Sequence, residues 1–171
     1  MSTAVLSIGS NLGDRLAHLR SVVDSLGDAV TAVSAVYETP PWGDPDQPAY
    51  LNAALLVRAP VPARAWLDRA ASLERAAGRV RDPARRFGPR PLDVDVIMVW
   101  EDDGTVVVAH ELDLELPHPR AHLRAFVLRP WLELDPSAVL PEHGRVADLM
   151  LTPEVAADLP GVARREDLSL R

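Results

Sequence analysis

Short apolar runs and alternating apolar and polar residues mark the expected strands of this chain. Segments of this kind predict β-strands at 4–8, 30–37, 51–58 and 92–100. The Glu-Asp-Asp-Gly sequence at 101–104 predicts a hairpin turn, with a return strand at 106–109. Apolar residues at helical spacing predict helices at 15–26, 62–77, 121–128 and 146–151. Strands and helices therefore alternate along most of the chain.

Residues with known preferences for helix ends support the first three helices. Asp14 is suited to cap the first helix and Gly27 to end it. Pro62 fits the first turn of the second helix, and Gly78 follows its last turn. Pro130 comes soon after the third helix and is expected to close it.

The order of the predicted elements is β-α-β-β-α-β, followed by extra elements. This order matches the ferredoxin-like split β-α-β motif. No internal repeat or linker is visible, so we predict a single domain over residues 1–171. Residues 152–171 are polar and weakly patterned, and we expect them to form a loosely held tail.

Composition excludes several classes of function. The net charge of −7 disfavours nucleic acid as a partner. All basic residues are arginine, so a Walker A site and a protein-kinase site, which both need a lysine, are excluded. There is no cysteine, no apolar run of membrane-spanning length and no basic leader with a cleavage pattern. We therefore expect a cytoplasmic protein without a membrane partner.

The most informative stretch, residues 79–95, combines five arginines with a closing pair of aspartates. Guanidinium groups suit phosphate oxygens, and Asp93 and Asp95 are hard oxygen ligands of the kind that Mg²⁺ uses together with substrate phosphates. Residues two apart on a strand share a face, so the two carboxylates should lie side by side. An Asp-x-Asp pair is often only solvated, and so are charged loops. Five like charges in one short loop nevertheless favour a bound anion.

Two further groups of residues leave functional and structural interpretations open. Tyr50 and Asn52 share a strand face and could stack on and hydrogen-bond a flat heterocycle. The preceding loop at 39–42, Thr-Pro-Pro-Trp, could be a plain connection, and by itself it favours a structural role. His118 could be a hydrogen-bonding loop residue, and Arg124 could reach phosphate or lie exposed. No Ser-His-Asp order or Gly-x-Ser-x-Gly elbow is present, so hydrolase triads are excluded.

From about residue 5 to residue 136 the chain resembles the 6-hydroxymethyl-7,8-dihydropterin pyrophosphokinase family of folate biosynthesis. Each matching motif is modest, but their order and spacing are highly specific. The motifs are residues 7–15, 37–41, 47–53, 73–75, 78–81, 87–95, 117–120 and 124–128. The resemblance implies an α+β fold, a ferredoxin-like α/β sandwich with a mainly antiparallel sheet and flanking helices. It also implies transfer of diphosphate from ATP, the co-substrate, to the pterin's hydroxymethyl group, with release of AMP.

The resemblance also implies roles for residues by position. Asp93 and Asp95 should hold two Mg²⁺ ions, and Arg79 and Arg90 match arginines on the transferring phosphates. The implied pterin pocket has Phe126 stacking on the ring, and its residues are Thr39, Pro40, Tyr50, Asn52 and Phe126, with Trp42 at the rim. The implied nucleotide contacts are Glu74, Arg81, Arg86, Val96, His118 and Arg124. The chain departs from the family pattern at Phe87, where tryptophan is common, and at Pro91, where threonine is usual.

Two other classes of function compete with this interpretation. A pterin- or nucleotide-binding regulatory module would keep the pocket without turnover, and intact Asp93, Asp95, Arg79 and Arg90 argue against it. An acidic interaction protein could dock a phosphorylated partner on its arginine loop, but this leaves the Tyr50–Asn52 placement unexplained. We expect a monomer whose partners are the two small-molecule substrates.

Overall fold

The computed structural model describes residues 1–79 and 83–171. Its strands are β1 (Ser2–Ser10), β2 (Val30–Val33), β3 (Tyr37–Thr39), β4 (Tyr50–Ala59), β5 (Asp93–Glu101), β6 (Ala109–His110), β7 (Glu115–Leu116), β8 (Val139–Leu140), β9 (Gly144–Arg145) and β10 (Ala163–Arg164). Its α-helices are α1 (Arg15–Leu26), α2 (Ala63–Ala76), α3 (Ala125–Leu134), α4 (Val146–Leu149) and α5 (Pro153–Asp158). Short 3₁₀ turns cover 27–29, 121–123 and 159–161.

One antiparallel sheet carries the fold, with the order β10-β3-β4-β1-β5, and β2 also pairs with β4. β1 is central, and its residue Gly9 lies opposite Asn52 on one side and Asp93 on the other. β5 is the edge strand beside it. This arrangement of β1-α1-β2/β3-β4-α2-β5 confirms the predicted α+β, ferredoxin-like class.

Each face of the sheet is covered by its own apolar cluster. Helices α1 and α2 pack on one face, where Leu19 and Trp66 are almost fully buried with Leu6 and Ile8 of β1. Helices α3, α4 and α5 pack on the other face, around residues such as Trp131. Because both faces are covered, the central strand reads as a nearly continuous apolar run rather than as an alternating one.

The first helix follows its sequence signals closely. It spans Arg15–Leu26, as predicted. The Asp14 side chain accepts a hydrogen bond from the backbone N–H of Ala17 at 3.1 Å, which satisfies a donor that has no partner inside the helix. Gly27 ends the helix with a positive φ of 54°. The prediction of this helix and its cap is confirmed.

Two strand predictions need correction. The strand predicted at 30–37 is divided into β2 and β3, because Ser34 lies between them and bonds with the backbone of Ala54 through both its N–H and its hydroxyl. The return strand predicted at 106–109 is reduced to a single bridge between Trp100 and Val106. The chain then leaves the sheet, and β6 pairs with β7 instead. Local alternation does not reveal which partner a short strand will take.

The helix predicted at 121–128 is also different in the structure. Residues 121–123 form a 3₁₀ turn, and α3 runs from Ala125 through Pro130 to Leu134. Proline removes one helical hydrogen bond, and here its ring is buried in the apolar cluster around Trp131. Burial of this strongly apolar segment therefore outweighs the local preference to stop at Pro130.

The expectation of a loosely held tail at 152–171 is wrong. Val155 is fully buried against α3, β10 extends the sheet beside β3, and Leu170 is only 4% exposed. The backbone carbonyl of Ser169 accepts a hydrogen bond from Arg20 of α1 at 2.8 Å. The few apolar residues of this segment are sufficient because Val155 and Leu170 are buried in the two clusters, and Leu159, Val162 and Leu168 pack against them. No helix in the two described ranges is long and apolar enough to cross a membrane.

We predict that Asp14→Ala lowers the free energy of unfolding by about 1 kcal/mol, because the capping oxygen is lost. Urea denaturation followed by circular dichroism measures this change. The matched control is Asp24→Ala, an exposed aspartate in the same helix, which should change stability by less than about 0.5 kcal/mol. Equal losses in the two variants would show that the cap contributes nothing specific.

Candidate active site

A cleft of about 420 Å³ runs along the edge strand β5. Its walls come from α2, the proline loop (residues 40–49), the arginine loop (residues 83–92), residues 111–120 and the start of α3. The described residues with a role predicted from the sequence all line it: Thr39, Pro40, Trp42, Tyr50, Asn52, Glu74, Arg79, Arg86, Arg90, Asp93, Asp95, Val96, His118, Arg124 and Phe126. Arg81, a predicted nucleotide contact, lies outside the described residues.

The aspartate pair occupies the floor of the cleft. Asp93 and Asp95 project from one face of β5 and are 22% and 24% exposed, while Val94 between them is buried in the core. The guanidinium of Arg79 lies 2.9 Å from Asp93, and that of Arg90 lies 3.3 Å from it. The arginines that match phosphate-binding positions are thus both paired with the carboxylate of Asp93.

The two aspartates have opposite protonation behaviour. Burial would raise the pKa of Asp93, but Arg90 and Arg79 outweigh it and hold that pKa below its usual range. Burial, followed by the charge of Asp93, raises the pKa of Asp95 to about 8. Arg124, 3.7 Å away, opposes this shift but does not outweigh it. Asp95 is therefore a carboxyl group whose ionised form is incompletely balanced by its one ion-pair partner among the described residues.

This pair fits a divalent cation. No cluster of three or more His, Cys, Asp or Glu side chains that could hold a metal occurs in residues 1–79 and 83–171. Mg²⁺ is commonly bound by one or two carboxylates with the remaining positions filled by phosphate oxygens and water, so a two-carboxylate floor is sufficient. A cation beside Asp95 would also supply the counter-charge that this group lacks.

Glu74 of α2 fixes the geometry around the pair. Its carboxylate accepts a hydrogen bond from the backbone N–H of Val94 at 3.0 Å and another from Arg79. Burial, together with the charge of Asp93, raises the pKa of Glu74. The sequence predicted Glu74 as a nucleotide contact, and the structure also gives it the task of orienting Arg79.

Arg124 brings an unsatisfied donor into the cleft. It is 6% exposed, and its buried Nε–H has no hydrogen-bond partner among the described residues. Its guanidinium lies over the ring of Trp42, 4.6 Å from the centroid, and 5.6 Å from that of Phe126. Burying a charged donor without a partner is costly, so the site favours an incoming anion.

His118 is placed as a neutral hydrogen-bonding group. Its Nδ1 accepts a hydrogen bond from the backbone N–H of Arg120 at 3.1 Å, and its backbone N–H donates to Ile97 of β5. Burial first, and the charge of Arg124 second, lower the pKa of His118 to about 4. With Nδ1 accepting, the proton of the neutral ring resides on Nε2, which can donate to a ligand.

The part of the cleft beside the aspartates is lined by Thr39, Tyr50 and Asn52, and its shape depends on Gly9. Asn52 donates a hydrogen bond to the Thr39 hydroxyl at 2.6 Å, and Tyr50 lies on the same strand face. A Cβ at Gly9 would lie 2.5 Å from Oδ1 of Asn52 and 3.3 Å from the Tyr50 ring, so a larger residue cannot occupy this position without displacing Asn52. The strand predicted at 4–8 stops one residue before Gly9, but Gly9 is itself a strand residue, and its missing side chain makes room for this part of the cleft.

The proline loop and the arginine loop join to form one wall. Arg85 contacts Asp44 at 2.5 Å, and the Gln47 side chain donates to the backbone carbonyl of Phe87 at 2.6 Å. The rings of Trp42 and Phe87 pack edge to face with centroids 5.4 Å apart. A ligand that moves one loop therefore acts on the other.

Some residues of the cleft were not anticipated as site residues. Residues 111–115 form a hairpin tip at its mouth, where Leu112 is fully exposed and Arg64 of α2 pairs with Glu111 and Asp113. Leu67, Ala70 and Ala71 of α2 add apolar surface nearby. Helical periodicity identified their helix but did not show that part of its apolar face borders the cleft as well as the core.

The family model described as 7,8-dihydro-6-hydroxymethylpterin-pyrophosphokinase matches residues 5–136. A 2-amino-4-hydroxy-6-hydroxymethyldihydropteridine pyrophosphokinase of Mycobacterium tuberculosis is 54% identical over 149 residues, covering 84% of this chain and 78% of the relative. A protein of the same name from Mycobacterium leprae is 50% identical over 179 residues, covering 100% of this chain and 92% of the relative.

Solved structures show the same fold at much lower identity. A chain described as HPPK-DHPS in complex with substrates matches 86% of this chain with a TM-score of 0.61 and 11% identity. Wild-type HPPK-DHPS of Plasmodium falciparum matches 96% with a TM-score of 0.59 and 13% identity. This chain spans 42% and 47% of those two chains, less than half of each. At such identity the likeness shows the fold alone.

The electrostatics of the aspartate pair predict a stability change of opposite sign for two neighbouring variants in metal-free buffer. Since the folded-state pKa of Asp95 is raised to about 8, its ionisation destabilises the fold increasingly as pH rises from about 4 to about 8. Asp95→Asn should therefore raise the melting temperature, and the gain should grow between pH 5 and pH 8.

The matched variant is Asp93→Asn, two residues away on the same strand. It should lower the melting temperature, because Arg79 and Arg90 lose their carboxylate partner. Thermal unfolding in EDTA from pH 5 to pH 9 measures both effects. A pH-independent difference between Asp95→Asn and the wild type would contradict the raised pKa of Asp95.

Proposed function

Because the chain belongs to the 7,8-dihydro-6-hydroxymethylpterin-pyrophosphokinase family and is thus a pyrophosphokinase enzyme of folate biosynthesis, we propose a specific reaction for it. The enzyme transfers diphosphate from ATP to the hydroxymethyl oxygen of 6-hydroxymethyl-7,8-dihydropterin and depends on Mg²⁺. The products are AMP and the pterin diphosphate. The observation that carries this proposal is the shared cleft, in which an aspartate–arginine site adjoins a pocket for a flat polar ring.

The strand register supports the positioning of two substrates for direct transfer. Asn52 of the pterin pocket and Asp93 of the phosphate site lie on either side of Gly9, across neighbouring strands. The pterin's hydroxyl oxygen attacks the β-phosphorus of ATP, and the bond from that phosphorus to the α–β bridging oxygen breaks. The electron pair leaves with AMP, and the hydroxyl proton is lost. Holding both reactants in this geometry accounts for much of such a rate enhancement.

Charge neutralisation is the second contribution of the protein. Arg79 and Arg90 exchange Asp93 for the oxygens of the transferring phosphates, and the free Nε–H of Arg124 gains an acceptor. Asp93 and Asp95 are the residues that would hold two Mg²⁺ ions. Bound Mg²⁺ would neutralise phosphate charge and lower the pKa of a coordinated hydroxyl. We assign no protein group as general base.

The remaining walls suit a nucleotide and a pterin. The neutral His118, with Glu74, Arg86 and Val96, borders the nucleotide part of the cleft, and Arg81 is proposed to join them. Asn52 and Thr39 supply polar groups for the pterin edge, and Phe126 supplies a ring for stacking. Tyr50, Pro40 and Trp42 complete this pocket. We also propose that the enzyme is a monomer located in the cytoplasm.

The decisive test is AMP formation from ATP and Mg²⁺, with and without 6-hydroxymethyl-7,8-dihydropterin. We expect AMP only when the pterin is present, in amounts equal to the pterin diphosphate formed, and no product when EDTA removes the metal. Tight Mg²⁺-dependent ATP binding without AMP would instead support the regulatory binding module. ADP in place of AMP would show that a different phosphorus is attacked.

Arg90→Lys tests the phosphate role of one arginine in the same assay. Lysine keeps the charge but loses the two-pronged guanidinium, so we expect kcat to fall by about 100-fold. Arg58→Lys, on an exposed arginine of β4 that pairs with Asp102, is the matched control and should keep the wild-type rate. An Arg90→Lys enzyme with the wild-type kcat would remove Arg90 from the chemical step.

A further inference from the structure

The C-terminal segment of residues 159–165 runs beside the start of the proposed pterin pocket. β10 pairs with β3, so that Ala163 lies opposite Glu38 and Arg164 lies opposite Tyr37. β3 ends at Thr39, the first residue of the pocket. The segment lies beyond residues 5–136, which carry the family match. The pocket therefore has a neighbour outside the part of the chain that identifies the family.

One close contact joins this segment to the pocket wall. A Cβ at Gly161 would lie 3.1 Å from both Cγ and Cδ of Pro40. That separation is tighter than an ordinary van der Waals contact, so even one added methyl group has to displace the proline ring. Pro40 is itself a wall residue of the cleft. Because Gly161 has no side chain, the Pro40 ring can lie close to the C-terminal segment; a side chain at position 161 would shift the ring from its present position.

An ionic bridge links the same segment to both ends of the proline loop. Arg165 lies 3.4 Å from one carboxylate oxygen of Glu38, and Arg15 lies 2.7 Å from the other. Arg15 also donates to the backbone carbonyl of Ala49 at 3.1 Å. Glu38 precedes the first pocket residue, and Ala49 precedes Tyr50 at the other end of the loop. One half-buried carboxylate thus connects the tail to the entry and the exit of the loop.

The segment is anchored firmly enough to act as a support. On the side that precedes it, Val155 is fully buried against α3. On the side that follows it, Leu170 is buried in the core under α1 and β2. Within it, the backbone N–H of Arg165 donates to the carbonyl of Val36 at 2.8 Å. Because the segment is held on both sides, it cannot move away easily, and it therefore restricts the position of the proline loop that it contacts.

We propose that residues 159–165 form a positioning element of the pterin pocket, which holds Thr39 and Pro40 at the distance that the pterin ring requires. This inference rests on the proposed function, because it assigns the pocket to the pterin. The element touches the pterin wall and not the aspartate–arginine site. It reaches the arginine loop only indirectly, through the proline loop, so its main effect is on binding of the second substrate.

Gly161→Ala tests this role with a single methyl group, since Gly161 has no positive φ that would strain an alanine. The Michaelis constant for the pterin should rise by about three- to tenfold, while that for ATP and kcat at saturating pterin change by less than about twofold. Arg165→Gln is the second variant and should shift the same constant in the same direction, because the bridge through Glu38 is lost. Asp158→Glu, which adds one methylene at the exposed position just before the segment, is the control and should match the wild type.

The wild type is measured in the same assay, which separates two kinds of failure. If the wild type turns over and both variants keep its Michaelis constant for the pterin, the positioning role is overturned and the proposed function stands. A parallel rise in both Michaelis constants, accompanied by a lower melting temperature, would show general loosening and would also overturn it. A wild type that forms no pterin diphosphate would overturn the proposed function and this inference together.

Discussion

The active cleft depends on the register of three antiparallel strands. Gly9 in the central strand lies opposite Asn52 in one neighbour and Asp93 in the other. Neighbouring strands are about 4.8 Å apart, so this register brings the proposed pterin pocket and the aspartate pair within about two strand spacings of each other. A shift of one residue in either pairing would send one of the two groups to the opposite face. Glycine is required at the crossing because Asn52 already fills the space of a side chain.

The cleft is charged but largely self-compensated before substrates arrive. Arg79 contacts Glu74 and Asp93, Arg90 contacts Asp93, and Arg124 lies near Asp95. These pairs keep the buried charges tolerable, since a buried charge without a partner is expensive. The compensation is incomplete at two groups. The pKa of the Asp95 carboxyl group is raised, and the Nε–H of Arg124 has no hydrogen-bond partner among the described residues. A cation beside the Asp95 carboxylate and an anion beside the Arg124 Nε–H would each lower the free energy of the site.

The loops above the cleft differ from the floor in how they are held. The floor belongs to long strands in the core, whereas the proline loop and the arginine loop depend largely on each other, through Arg85–Asp44, Gln47 and the Trp42–Phe87 contact. Asn11 adds a fourth contact between the loops, because it bonds with Gln47 and with the backbone of Arg90. The C-terminal segment then supports the proline loop from outside. A rigid floor with mutually supporting walls is suited to a reaction that requires two substrates to be enclosed together.

Much of this fold could be predicted from the sequence, because it depends on interactions between residues close together in the chain. The first helix, its Asp14 cap, the pairing of Asp93 with Asp95 on one strand face and the order of the main elements depend on neighbours in the chain, which the sequence displays directly. The motifs also named the residues that line the cleft. Tertiary contacts decided the rest: the fixed tail, the helix that passes through Pro130, the lost return strand and the role of Gly9. Each of these depends on a partner distant in sequence, and the free energy of burying a residue against such a partner can exceed the local preference that the sequence shows.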